Sequence, residues 1–191
     1  MNERLIGMRQ RILITVLIAL IVAGCGDPSP AGDLPSESES AEMMAAALRQ
    51  LVTEDHTFGE GPPPFTEYLV EEQTVDNSAV TSPEERDEDE VVESRRLTDQ
   101  ERAAVGDAIS EYGPVRWVAD PDEWRTEDLQ PEIEGSVILG VGIPRLDGDD
   151  ALVPVSLWCG GTCGTWLTYR LEVDESGMWR VTGTEGPIAI S

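Results

Sequence analysis

The chain has 191 residues, with 13 arginines and no lysine against 38 aspartates and glutamates, a net charge of −25, one histidine, three cysteines and five tryptophans. So acidic a surface repels phosphate backbones, which excludes nucleic acid as a partner. The length suffices for one domain of ordinary size with flanking segments and falls short of a two-lobed solute-binding protein.

Arg4, Arg9 and Arg11 against Glu3 make the start of the chain basic, and residues 12–24 are an unbroken run of apolar and small side chains. Thirteen residues are too few to span a bilayer, which takes roughly 20, and the layout is that of a secretory leader. The run ends Val22-Ala23-Gly24-Cys25, which resembles the lipobox of bacterial lipoproteins: an aliphatic residue, small residues, then the cysteine that is modified. The resemblance covers 25 residues and implies diacylglyceryl transfer to the Cys25 thiol, with cleavage before it. Residues 1–24 are therefore expected to be a signal peptide. The mature protein is expected on the extracytoplasmic face of the cell membrane, held through the lipid on Cys25, since stable anchoring takes two or more acyl chains. Loss of the leader removes three arginines and Glu3, which leaves 10 arginines against 37 acids and a mature charge of −27. The all-arginine basic complement suggests a high-GC genome, with actinobacteria the natural hypothesis.

Residues 25–40 are rich in proline, serine, glycine and acids and read as a flexible tether, with a reach on the order of 20 Å. Over residues 41–53, Met44, Ala47, Leu48, Leu51 and Val52 recur at helical spacing and predict the first helix of a single domain spanning 41–191. A glycine and proline cluster at 59–64 breaks the chain, and 65–71 has strand character with Tyr68 and Val70 on one face. The acidic stretch near 76–96 reads as a solvated loop. Thr98 and Glu101 have the spacing of a capping box. The helix it opens buries Ala104, Val105, Ala108, Ile109 and Tyr112 and stops at Gly113-Pro114. A short strand follows at 115–118, then an acidic loop.

The strongest periodicity lies in the last third. Val137, Leu139, Val141 and Ile143 alternate, an Asp147-Gly148 turn follows, and three more strands are expected near 151–159, 163–173 and 178–184. Two helices with a mostly antiparallel sheet of about six strands, closed by a four-strand C-terminal meander, make an α+β domain with one sheet face under helix and the other partly open.

An exported protein with two cysteines besides the lipidated one should pair them, so Cys159 and Cys163 are expected to form a disulfide. If Cys159 stands opposite Cys163, Val153, Val155 and Leu157 face Tyr169, Leu167 and Thr165, and Trp158 faces Gly164, whose missing side chain leaves room for a ring. The loop is so small that its closure contributes only about 2 kcal/mol. The run Cys159-Gly-Gly-Thr-Cys163-Gly, with Tyr169 and Gly177-Met-Trp179-Arg-Val181, is similar to the C-terminal hairpins of small exported or lipid-anchored bacterial α+β domains. Some of these have an outline like the nuclear-transport-factor-2 or cystatin-like fold, and the likeness implies no activity. A redox role competes with a structural disulfide, but such enzymes place two cysteines two residues apart at a helix N-terminus. Zinc would need ligands beyond these two cysteines and the distant His56.

His56, just past the first helix, reads as a surface residue or a helix cap. No nucleophile elbow, phosphate-binding loop or metalloprotease helix is present, and no cofactor is expected. Asp147, Asp149 and Asp150 gather in one turn without the spacing of a calcium loop, and a plain hairpin turn explains them. Trp158 and Trp166 belong to the sheet face opposite Val153 and Val155. They form either an exposed recognition patch or core packing against the glycine-rich strand at 140–142. The expectation is a non-catalytic, lipid-anchored domain that binds a protein or envelope component, with Trp158 and Trp166 as its binding face. An enzyme built on carboxylates and a small-ligand carrier are the alternatives.

Overall fold

Serines and glutamates alternate from Ser36 to Ser40, and in the computed structural model this stretch is helix rather than tether. Helix α1 spans Glu37–Thr53. The Ser36 hydroxyl accepts from the Glu39 amide, and the Glu39 carboxylate accepts from the Ser36 amide at 3.0 Å. This capping box, with Glu37 and Glu39 at the positive end of the dipole, starts the helix four residues before the expected Ala41 and shortens the tether accordingly. The second expected box is present as well. The Thr98 amide donates to Glu101 at 2.9 Å and opens α2, Asp99–Ile109.

The structure describes residues 34–56, 58, 64–75 and 94–191, which fall in one compact unit, Ala31–Ser191. The leader, Cys25 and most of the acidic segment expected at 76–96 lie outside the described residues. The last residues of that segment are held in place, with the Arg95 amide donating to the Thr74 hydroxyl and Arg96 bridging Gln73. No helix among the described residues is long and apolar enough to cross a membrane.

Among the described residues seven strands follow: β1 (Glu67–Glu71), β2 (Val115–Val118), β3 (Ser136–Val141), β4 (Arg145–Asp147), β5 (Asp150–Gly160), β6 (Cys163–Val173) and β7 (Trp179–Ile190). They form one sheet in the order β2-β1-β3-β5-β6-β7, with β4 paired to the start of β5. The fold is α+β, but the sheet is mixed, which corrects the expectation of a mostly antiparallel one. β1 runs parallel to both its neighbours, Tyr68 lying level with Val115 on one side and Val137 on the other. Parallel neighbours require a crossover connection, and α2 lies on the one from β1 to β2. The remaining pairings are antiparallel. The C-terminal third is not a plain four-strand run either, because β4 interrupts the path from β3 to β5.

Both faces of the sheet carry a core. On one, Tyr68, Val70, Leu139, Val155, Leu157, Leu167 and Tyr169 pack under Met44, Leu48 and Leu51 of α1 and Val105 and Ile109 of α2. On the other, Leu69, Val118, Ile138 and Trp158 form a smaller cluster joined by Trp124, Ile133 and Trp166. Trp124 and Ile133 come from the segment between β2 and β3, which holds a 3₁₀ turn at Pro121–Trp124. β3 is accordingly buried along its whole length. The expected alternation of Val137, Leu139 and Val141 thus separates two cores rather than a core from water.

Candidate functional site

The β5–β6 hairpin keeps the expected register through most of its length, with Val153 opposite Tyr169, Val155 opposite Leu167 and Leu157 opposite Thr165. Trp158 stands opposite Gly164, but the register then slips by one residue and Gly160, not Cys159, faces Cys163. Gly160 takes φ 147°, a conformation that favours glycine. Cys159 and Cys163 are disulfide-bonded, their Cα atoms 5.1 Å apart. This separation is ordinary for a disulfide.

The tryptophans lie on the expected face, but they do not form an exposed patch. Trp158 is only 9 % exposed, and the Arg125 guanidinium lies 4.8 Å over its ring. Asp122 holds the same guanidinium at 2.8 Å. The ring that fills the space at Gly164 is that of Trp166, whose Cζ3 lies 2.6 Å from where a Cβ would stand. Trp166 is itself half-buried. The physical reason is the β2–β3 segment, whose acidic sequence reads as solvated loop yet delivers Trp124, Arg125 and Ile133 onto this face.

On the same sheet face sits a carboxyl that composition alone could not single out among 38 acids. The Glu71 Oε1 lies 3.2 Å and the Ser156 hydroxyl 2.5 Å from where a Cβ at Gly140 would stand, with a methyl of Val75 closer still. Gly140 is what makes room for this convergence. Burial pushes the Glu71 pKa up to about 7, opposed by Arg125 and assisted by Asp122. Arg125 in turn keeps a buried Nε with no hydrogen-bond partner.

The other singled-out residues are placed differently. His56 is 4 % exposed, so it is an interior residue beside Phe58, not a surface one. Its ring centroid lies 6.4 Å from that of Phe58, which packs edge-on against Phe65 at 5.5 Å. Asp147 and Asp150 flank the turn through Gly148 and hold Arg170 at 3.2 and 2.6 Å, while Glu185 binds the same guanidinium at 2.8 Å. Among the described residues no group of histidine, cysteine or acidic side chains is arranged to hold a metal.

The disulfide borders a cleft of about 450 Å³ at the end of the sheet. Phe58, Pro64 and Phe65 line it together with Gln130, Pro131, Glu134, Ser136 and Cys159, and the Glu134 carbonyl accepts from the Thr66 hydroxyl at 3.2 Å. The volume is within the range of small-ligand sites. Phe58 presents a ring that is 52 % exposed, where most aromatic side chains of the domain are covered. Sequence reasoning missed this site because its walls come from three stretches far apart in the chain, and none carries a motif. Comparison with protein-family models, curated proteins and solved structures finds no match to this chain.

Proposed function

We propose that the chain is a lipid-anchored, extracytoplasmic binding domain with no catalytic role, tethered through Cys25 and taking its ligand in the cleft between Phe58 and Cys159. Support for the anchor comes from the sequence: a basic start, a short apolar run and Val22-Ala23-Gly24-Cys25. Support for binding comes from one observation, a half-exposed aromatic ring set on a second ring at the mouth of a ligand-sized cleft. A protein or envelope component presenting a small apolar group and a free small ligand both suit such a site. The anchor is tested by fractionation: Cys25→Ser should leave the membrane fraction, and retention with an uncleaved N-terminus would refute lipidation. Binding is tested by affinity capture from native envelope. A partner taken by the wild-type chain and lost by Phe58→Ala locates the surface, whereas equal capture by both removes the cleft from consideration.

A second reading, an enzyme working through carboxylates, is favoured by Glu71. A carboxyl titrating near neutrality beside a hydroxyl and an arginine is a group suited to exchange protons. That reading requires an envelope substrate turned over by the wild-type chain and left intact by Glu71→Gln.

A further inference from the structure

We infer that the cleft beside the disulfide selects a small organic cation: an apolar body carrying one positively charged head. This rests on reading the cleft as the ligand site. Three observations converge on the charge. Glu134, an exposed residue lining the cleft next to Phe65, forms no ion pair with any described residue, and its carbonyl accepts from the Thr66 hydroxyl at 3.2 Å. Among the described residues no arginine lines the cleft, although arginines elsewhere hold Glu67, Glu72, Glu101 and Glu185. Phe58 and Phe65 also line the cleft, and an aromatic face attracts a cation through its quadrupole. The Ser136 hydroxyl donates to the Ile133 carbonyl, so its proton is already committed and its oxygen remains an acceptor. An anion would meet Glu134 with nothing to offset it. A neutral ligand would leave that carboxylate beside an apolar body, with no charge to pair it. The net charge of the chain adds a long-range field of the same sign, drawing cations toward the domain.

The test uses three probes with one body: 4-phenylbutylammonium, 4-phenylbutanol and 4-phenylbutyrate. Each is titrated calorimetrically into the full chain in nonionic detergent, with chain-free micelles as blank. The ammonium should bind at least tenfold more tightly than the carboxylate, with the alcohol between them. Glu134→Gln should bring the ammonium and the alcohol to within about twofold of each other. Glu127→Gln, an exposed change of the same net charge outside the cleft, should leave the preference intact and so separates local pairing from the general field. Phe58→Ala should weaken all three probes at least fivefold. Equal binding of the three, or a preference for the carboxylate, overturns the cationic class while leaving a binding cleft in place. Binding that Phe58→Ala does not change overturns the location. No binding above the blank overturns both the class and the reading of the cleft as a ligand site.

Discussion

Glu101 joins the two helices, and neutralising it should cost the domain stability in a pH-dependent way. Its side chain is 1 % exposed and accepts from both terminal nitrogens of Arg95 at 2.7 and 2.6 Å, from the Ser40 hydroxyl of α1 at 2.6 Å and from the Thr98 amide. Burial alone would raise its pKa, but the bonds from Arg95, Ser40 and Thr98 outweigh it and bring the pKa from 4.5 down to about 2. A carboxyl held so low contributes stability that is complete above pH 4.5. The contribution is lost as pH falls toward 2, because the unfolded chain takes up the proton first. That fall corresponds to on the order of 3 kcal/mol, brought nearer about 2 kcal/mol because solvent reaches the Arg95 side of the pair. Glu101→Gln keeps the size and removes the charge. In urea unfolding the variant should trail the wild type by more than 2 kcal/mol at pH 7, since the amide also turns a donor toward Arg95. At pH 3 the gap should shrink by about 1 to 2 kcal/mol. A gap of equal size at the two pH values would refute the assignment of the stability to the Glu101 carboxylate.

Three further substitutions probe the second sheet face and the hairpin. Gly140→Ala puts a methyl 2.5 Å from the Ser156 hydroxyl and against Val75, and thermal unfolding should report a loss of about 1 to 3 kcal/mol. Glu71, with its pKa raised to about 7, withdraws stability as pH climbs from 4.5 through 7. Glu71→Gln should therefore match the wild type at pH 4.5 and exceed it by about 2 kcal/mol at pH 8 in denaturant titrations. A variant weaker than wild type at pH 8 would mean that the carboxylate is paired, not merely buried. Replacing Cys159 and Cys163 together by serine should cost no more than about 2 kcal/mol, read from the urea midpoint, and leave the fold intact. A loss of folding would make the disulfide structural for the whole sheet.

Legibility followed the range of the interactions concerned. The β5–β6 register could be read because Val153, Val155 and Leu157 are matched by Leu167 and Tyr169 across one short loop. The Thr98 box could be read because its partner lies three residues on. The Ser36 box has the same grammar but lies in a serine-rich stretch of tether-like composition. β1 and β2 were placed within a few residues, yet nothing in five or four residues says that they run side by side in the same direction. The Trp158 and Trp166 face was located correctly from period-two alternation. Its covering by Arg125, Trp124 and Ile133 was invisible, since an acidic segment in sequence gives no sign of the face it will lie on. The cleft and the Glu71 niche failed for the same reason, each being assembled from segments that meet only in the fold.

The parallel placement of β1 also sets an order of events. β5, β6 and β7 meet through short turns, so their closure entropy is small and they can pair as soon as they exist. β1 has no such recourse. Its two neighbours begin at Val115 and Ser136, so it stays an unsatisfied strand while the chain continues beyond it. As the chain is made from its N-terminus, β1 must therefore wait first for β2 and then for β3. In that interval the exposed Tyr68-Leu69-Val70 edge is the stretch of the domain most open to mispairing.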